Sequence, residues 1–171
     1  MVTDKFPMTI GDEEVLNEHL LLAYHEGGEM MESPRSVRFL VIHCSATKRN
    51  RDYTEKQLMR DHKARGFRTG GYHFYCRKDG RMVQFRKLLE VGAHARPYNR
   101  CSIGICYEGG LDEEGRPADT LTTAQYEAIR LLLLKLKAMF PQARIVGHRD
   151  LPGTTPKACP CFDAAAKFSR I

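Results

Sequence analysis

Short hydrophobic runs recur along the chain after residue 36, and each has the length and composition of a buried β-strand. The runs are rich in β-branched, aromatic and aliphatic residues, and they cover 37–42, 72–76, 81–85, 103–107 and 144–146. The sequence Lys-Asp-Gly at 78–80 separates the second run from the third, which predicts that these two strands form a hairpin.

Two other stretches repeat their apolar positions at helical spacing. Each begins with a Thr-x-x-Gln capping box, which satisfies free backbone N–H groups at a helix start, and the predicted helices cover 54–64 and 122–140. Strands that alternate with helices favour an α/β fold. We therefore predict a single mixed β-sheet flanked by helices.

The first 35 residues differ from the rest in charge and in pattern. They contain eight acidic and two basic residues, a net charge of −6, whereas the remainder of the chain carries +12. Apolar positions at helical spacing predict one short helix within 12–26, and Ser33 and Pro34 mark a boundary. We predict an acidic N-terminal appendage at 1–35 and one catalytic domain at 36–171.

Composition limits the classes of protein and of partner. With 171 residues, 28% charged and 42% hydrophobic, the chain suits one globular domain, and we expect a monomer without membrane insertion. No signal peptide is recognisable, so we expect synthesis in the cytoplasm and another route to the site of action. The basic domain favours an anionic partner, but nucleic acid is not favoured, because no basic or aromatic binding stripe is identifiable.

Three candidate metal ligands follow predicted strands or lie in a proline-flanked loop. His43 follows the first strand, His148 follows the last, and Cys159 lies between two prolines. Two histidines and one cysteine make up the three protein ligands of a catalytic zinc, whose fourth position holds water. Cys161 remains open as a fourth ligand of a structural zinc. Cys76 and Cys106, within apolar runs, are interpreted as core residues.

Five segments of the chain carry a family resemblance. They are VIHCSAT (41–47), GGYHF (70–74), VGAHARPYNRCSIGI (91–105), GHRDLPG (147–153) and PKACPCFD (156–163). From about Val37 to Asp163 the chain resembles the type 2 N-acetylmuramoyl-L-alanine amidases, a superfamily of T-seven-type phage lysozymes and animal peptidoglycan recognition proteins. The resemblance implies their fold and a zinc-dependent hydrolase that cuts the amide between N-acetylmuramic acid and L-alanine in bacterial peptidoglycan.

The resemblance also implies roles for individual residues. The family's Zn²⁺ ligands correspond to His43, His148 and Cys159, and its catalytic residues correspond to Tyr72 and Lys157. The expected substrate contacts lie in one loop and are His94, Arg96, Asn99 and Ser102. Two further histidines receive no catalytic role: His62 in the first helix is interpreted as structural or surface, and His73, which a regular strand would turn to the opposite sheet face from Tyr72, as a packing residue or a support for the site residues.

Alternative functions remain open at this stage. One is a module that binds peptidoglycan without cutting it, although such relatives typically lack the cysteine that is present here as Cys159. Another is an amidase with a second role as an RNA polymerase inhibitor, which is implied only by analogy with the phage relative. The absence of a signal peptide suits a phage or prophage endolysin, and equally a bacterial enzyme exported by a dedicated apparatus.

Overall fold

The computed structural model describes residues 8–9, 28–155 and 157–171. The strands in these residues are β1 Met8–Thr9, β2 Phe39–Cys44, β3 Thr47–Lys48, β4 Phe74–Cys76, β5 Met82–Gln84, β6 Ser102–Tyr107, β7 Gly110–Leu111 and β8 Arg144–Gly147. The α-helices are α1 Glu55–Ala64, α2 Thr123–Met139 and α3 Ala164–Lys167, and short 3-10 turns cover Pro34–Ser36, Asn99–Cys101 and His148–Asp150. The helix predicted within 12–26 lies outside the described residues.

Six strands form one mixed sheet in the order β1-β5-β4-β6-β2-β8. Strands β4, β6, β2 and β8 run parallel, whereas β1 and β5 pair antiparallel at one side. The predicted mixed sheet, the hairpin and both long helices are confirmed. The two-residue pair β3 and β7 was not predicted, because two residues are too few to show a hydrophobic period.

The helices that flank the sheet begin where the sequence predicted. In each capping box the threonine hydroxyl accepts a hydrogen bond from the glutamine N–H, and the glutamine side chain accepts one from the threonine N–H. Helix α2 buries its apolar face against one side of the sheet. The buried residues of this larger core include Ile129, Leu133, Leu136, Leu40, Ile42, Phe74, Ile103 and Ile105.

The opposite face of the sheet packs against α1 and two loops. Leu58 of α1 contacts a small cluster with Tyr75 and Cys106, and Val41 belongs to a second cluster with Leu151. His43 is paired in register with Cys106, and residues paired in this way project from the same face of a sheet. This less apolar face therefore carries His43, at the carboxyl end of β2.

Residues just before β2 pack onto the domain. The backbone N–H of Met31 donates to the carbonyl of Leu89 over 2.7 Å, and the N–H of Val91 donates to the carbonyl of Glu29 over 2.7 Å. The Met31 side chain is 6% exposed and belongs to the larger core. The last part of the predicted appendage thus shares the hydrophobic core of the domain that follows it.

No helix in the described part of the chain is both long enough and apolar enough to cross a membrane.

Candidate metal centre and active site

His43, His148 and Cys159 converge on one point, although they come from three separate segments. One potential ligand atom from each lies within 4.8 Å of the others. His43 is at the end of β2, His148 begins the 3-10 turn after β8, and Cys159 lies in the following loop. All three side chains are buried, so their polar atoms have little contact with water even when no metal is bound.

The donor set fits a zinc ion. The Nδ1 atom of His43 lies 3.9 Å from the Sγ atom of Cys159. Ligands at zinc distances in a tetrahedron lie roughly 3.3–3.6 Å apart, so this pair would need to approach by only a few tenths of an ångström to bind one zinc ion. The backbone N–H of Cys44 points at the Cys159 sulfur over 3.2 Å, which would stabilise the thiolate that a metal requires.

Cys161 is not part of this group of ligands. Its thiol donates to the carbonyl of Gly110 over 3.3 Å, and the cluster found among the described residues has three members, without Cys161. Three protein ligands leave one tetrahedral position free, which is the pattern of catalytic rather than structural zinc sites.

Backbone contacts hold the segment from His148 to Cys159 in place. The N–H of Arg149 donates to the carbonyl of Cys159 over 2.9 Å, which closes the loop between the two ligands. A Cβ atom on Gly147 would lie 2.7 Å from Pro160, so only glycine permits this close packing. The hydroxyl of Tyr107 donates to the carbonyl of Pro160 over 2.6 Å. These contacts explain why glycine and proline stand next to the ligands in the GHRDLPG and PKACPCFD motifs.

Tyr72 lies beside the ligand cluster. Its ring centroid is 5.0 Å from that of His43 and 5.5 Å from that of His62. Burial, followed by the neighbouring Cys106, raises the pKa of the Tyr72 hydroxyl well above its usual value. The hydroxyl therefore stays protonated well beyond neutral pH and is available as a hydrogen-bond donor.

Lys157 is exposed on the loop that carries Cys159. Burial lowers the pKa of His148, and the positive charge of Lys157 lowers it further. Burial also lowers the pKa of His43, followed by the charges of His148 and Lys157. The ammonium group is thus close enough to act on the cluster electrostatically.

His94 lies behind His43. Its Nδ1 atom is 2.9 Å from Nε2 of His43, and its Nε2 atom is 3.3 Å from the hydroxyl of Ser102. Ser102 is fully buried, and the side-chain oxygen of Asn99 accepts hydrogen bonds from the N–H groups of His94 and Ala95. Of the four expected substrate contacts, Arg96 is the exposed one, and the other three form a network under His43.

His62 and His73 are both buried near the site, so the surface alternative for His62 is wrong. His62 accepts a hydrogen bond at Nδ1 from the N–H of Gly71 over 2.7 Å. His73 accepts one at Nδ1 from the N–H of Gly104 over 3.1 Å, and its Nε2 lies 2.6 Å from the carbonyl of Glu90. The expected opposition of Tyr72 and His73 depended on a regular strand, but β4 begins only at Phe74, and the rings of both residues lie near that of His94.

A cavity of about 340 Å³ lies elsewhere. Its lining includes Arg49, Lys78 and Glu108, and it contains none of the predicted site residues. The carboxylate of Glu108 is already bound by the Arg77 side chain and the N–H of Lys78. The candidate site is therefore identified by its potential metal ligands and not by the volume of a cavity.

Comparison with known proteins agrees with this geometry. The family model described as N-acetylmuramoyl-L-alanine amidase matches residues 33–162. The endolysin of Klebsiella phage KP32 is 40% identical over 124 residues, covering 72% of this chain and 80% of the relative. The endolysin of Escherichia phage T7 is 38% identical over 128 residues, covering 75% and 83%.

A solved structure shows the same architecture. The endolysin N-acetylmuramoyl-L-alanine amidase LysCS from Clostridium intestinale superposes with a TM-score of 0.67 at 25% identity, covering 86% of this chain and 92% of that one.

Proposed function

Because this chain belongs to the N-acetylmuramoyl-L-alanine amidase family, we propose that it cuts peptidoglycan with a zinc ion held by His43, His148 and Cys159. The activity itself, hydrolysis of the amide between N-acetylmuramic acid and L-alanine, follows from that membership. The observation that carries the metal proposal is the convergence of three buried donors from three segments. When bound, a zinc ion supplies an activated water and a Lewis acid for the amide carbonyl.

Residues around the cluster stabilise charge during the reaction or contact the substrate. Tyr72 keeps its proton, so its hydroxyl donates a hydrogen bond to the oxygen on which negative charge develops during amide cleavage. The exposed Lys157 places a positive charge beside His148 and favours that negative charge. Arg96, which is exposed and lies two residues after His94, is the remaining candidate for contact with the sugar or peptide of the substrate.

We further propose that the protein acts as an endolysin on the bacterial cell wall. Both phage relatives described above bear that name, and the chain covers at least 80% of each of them. The basic charge of residues 36–171 suits an anionic wall polymer, since opposite charges raise the encounter rate at low ionic strength.

The test has two measurements on the purified protein. Metal analysis should give about one zinc per chain, and mass spectrometry of digested peptidoglycan should show free peptides that begin with L-alanine. Cys159→Ser should lose both the zinc and the activity. Its matched control is Cys161→Ser, since a serine hydroxyl can still donate to the Gly110 carbonyl, and this variant should retain both.

Two results would contradict the proposal. Intact sugar–peptide bonds after prolonged digestion would indicate a module that binds peptidoglycan without cutting it. Loss of zinc from Cys161→Ser but not from Cys159→Ser would place the metal elsewhere.

A further inference from the structure

A chain of four hydrogen-bonding groups runs from His43 into the protein interior. The Nε2 atom of His43 lies 2.9 Å from Nδ1 of His94, and Nε2 of His94 lies 3.3 Å from Oγ of Ser102. The Ser102 hydroxyl lies 2.7 Å from the backbone carbonyl of Tyr98. Distances alone leave the proton on each imidazole unassigned, but the last group in the chain decides it.

A backbone carbonyl can only accept, so the Ser102 hydroxyl donates its single proton to Tyr98. Ser102 Oγ must then accept from His94, which places the proton of His94 on Nε2. Nδ1 of His94 therefore carries a lone pair and accepts from His43, whose proton must be on Nε2. The remaining nitrogen of His43, Nδ1, is left with a free lone pair, and this is the atom that faces the sulfur of Cys159.

The surroundings hold the His94 ring in this orientation. Asn99 accepts hydrogen bonds from the N–H groups of His94 and Ala95 over 2.9 and 2.8 Å, which fixes the backbone on which the ring is mounted. A Cβ atom on Gly104 would lie 2.6 Å from the ring, and one on Gly92 would lie 2.7 Å from it. Two glycines thus make room for an imidazole that packs directly against the backbone of β6.

We infer that His94 and Ser102 are positioning residues, which fix the tautomer and ring orientation of His43 for metal binding rather than contacting substrate. The inference rests on the proposed metal site. Groups that hydrogen-bond the far nitrogen of a ligating histidine commonly have this effect, and their loss costs about 10–100-fold in metal affinity or activity. In this series of hydrogen bonds, the backbone carbonyl of Tyr98 determines which atom of each pair is the donor.

The test compares three full-length variants with the wild type. His94→Leu removes the acceptor for His43, and Ser102→Ala removes the acceptor for His94. His94→Asn places an amide oxygen near the former Nδ1 position, so it can still accept from His43. Zinc affinity, measured by competition with a chelator, should fall about 10–100-fold in His94→Leu and less in Ser102→Ala. His94→Asn should recover part of the loss.

A second measurement separates positioning from a general structural role. Nitrogen-15 NMR of the metal-free wild type should show His43 protonated at Nε2, and His94→Leu should populate the other tautomer. Thermal unfolding identifies any variant that fails to fold, and in that case Ser102→Ala and His94→Asn still test the chain.

The outcomes distinguish this inference from the proposed metal site. If the wild type binds no zinc, the metal proposal fails. If the wild type binds zinc but His94→Leu binds it equally tightly with the His43 tautomer unchanged, the positioning role is overturned. A raised KM with unchanged zinc affinity would likewise overturn it and return His94 to a substrate contact.

Discussion

The phenol ring of Tyr72 lies 5.0 Å from the imidazole ring of His43, centroid to centroid. If the Tyr72 hydroxyl acts only on charge that develops during the reaction, Tyr72→Phe should keep its zinc and lose about 100–1,000-fold in kcat. Turnover of a soluble muramyl-peptide, measured beside metal content, checks this. Tyr126→Phe is a matched control, because that ring stacks on Phe168 on the other side of the sheet. Loss of activity only together with zinc would make Tyr72 structural.

Lys157 provides a second test of charge stabilisation. Lys157→Ala should lower kcat by about 10–100-fold with metal content unchanged, since the group is exposed and its field is partly screened by water. Lys157→Arg should recover part of this loss because it keeps the charge. Lys135→Ala, which removes an exposed lysine from α2, should have wild-type kinetics. Equal activity in Lys157→Ala and Lys135→Ala would remove Lys157 from the mechanism.

The sequence was sufficient to predict the elements with a strong period. The capping boxes at the starts of α1 and α2 and the apolar run of β2 depend on local chemistry, so neighbouring residues determine them. Their positions at strand ends and in a proline-flanked loop made His43, His148 and Cys159 candidate ligands, and the family resemblance then singled them out, because scattered histidines and cysteines lack the compact spacing of a zinc finger. The proton chain through Ser102 was missed, since it joins residues whose proximity depends on the packing of a loop on β6.

Glu90 provides a stability prediction. Its buried carboxylate is paired with Arg68 and lies 3.1 Å from Arg86, whose side chain is only 8% exposed. Glu90→Ala leaves the buried Arg86 guanidinium with backbone carbonyls but no opposite charge, so the free energy of unfolding should fall by about 3–5 kcal/mol. Glu127→Ala removes a 3.0 Å pair with Arg130 on the surface and should cost less than about 1 kcal/mol. Urea unfolding measures both, and equal losses would show that Glu90 is not effectively buried.

His62 gives the protein a pH-dependent stability. Burial, and after it the charge of Arg65, lowers the pKa of His62 to about 4. The unfolded chain, with a pKa of about 6.5, therefore binds more protons between these values, and the free energy of unfolding falls as pH drops from about 6.5 to 4. His62→Asn keeps an acceptor for the N–H of Gly71 but cannot be protonated, so the slope in this window should be smaller than in the wild type.

Unfolding in urea at several pH values, with a chelator present, measures this slope for both proteins. One proton at most separates them, so the difference in slope should not exceed about 1.4 kcal/mol per pH unit. Parallel curves would mean that His62 is solvated in the folded protein.

Residues 28–35 follow the N-terminal segment and pack onto the core through Met31. Two interpretations of the predicted appendage can therefore be tested separately: it stabilises the domain, or it restricts access to the cleft. A chain that starts at Gly28 keeps Met31 and its backbone pairing with Leu89, whereas one that starts at Ser36 loses both. We expect the Ser36 chain to be about 2–5 kcal/mol less stable, the cost of removing a buried methionine side chain, and full-length Met31→Ala should lose a similar amount. Thermal and urea unfolding of these three proteins, with amidase turnover on intact walls, measures both effects.

Higher turnover in the Gly28 chain than in the full chain would mean that residues 1–27 restrict the cleft. Equal stability of the Gly28 and Ser36 chains would show that the packing of Met31 contributes nothing and that the domain does begin at residue 36.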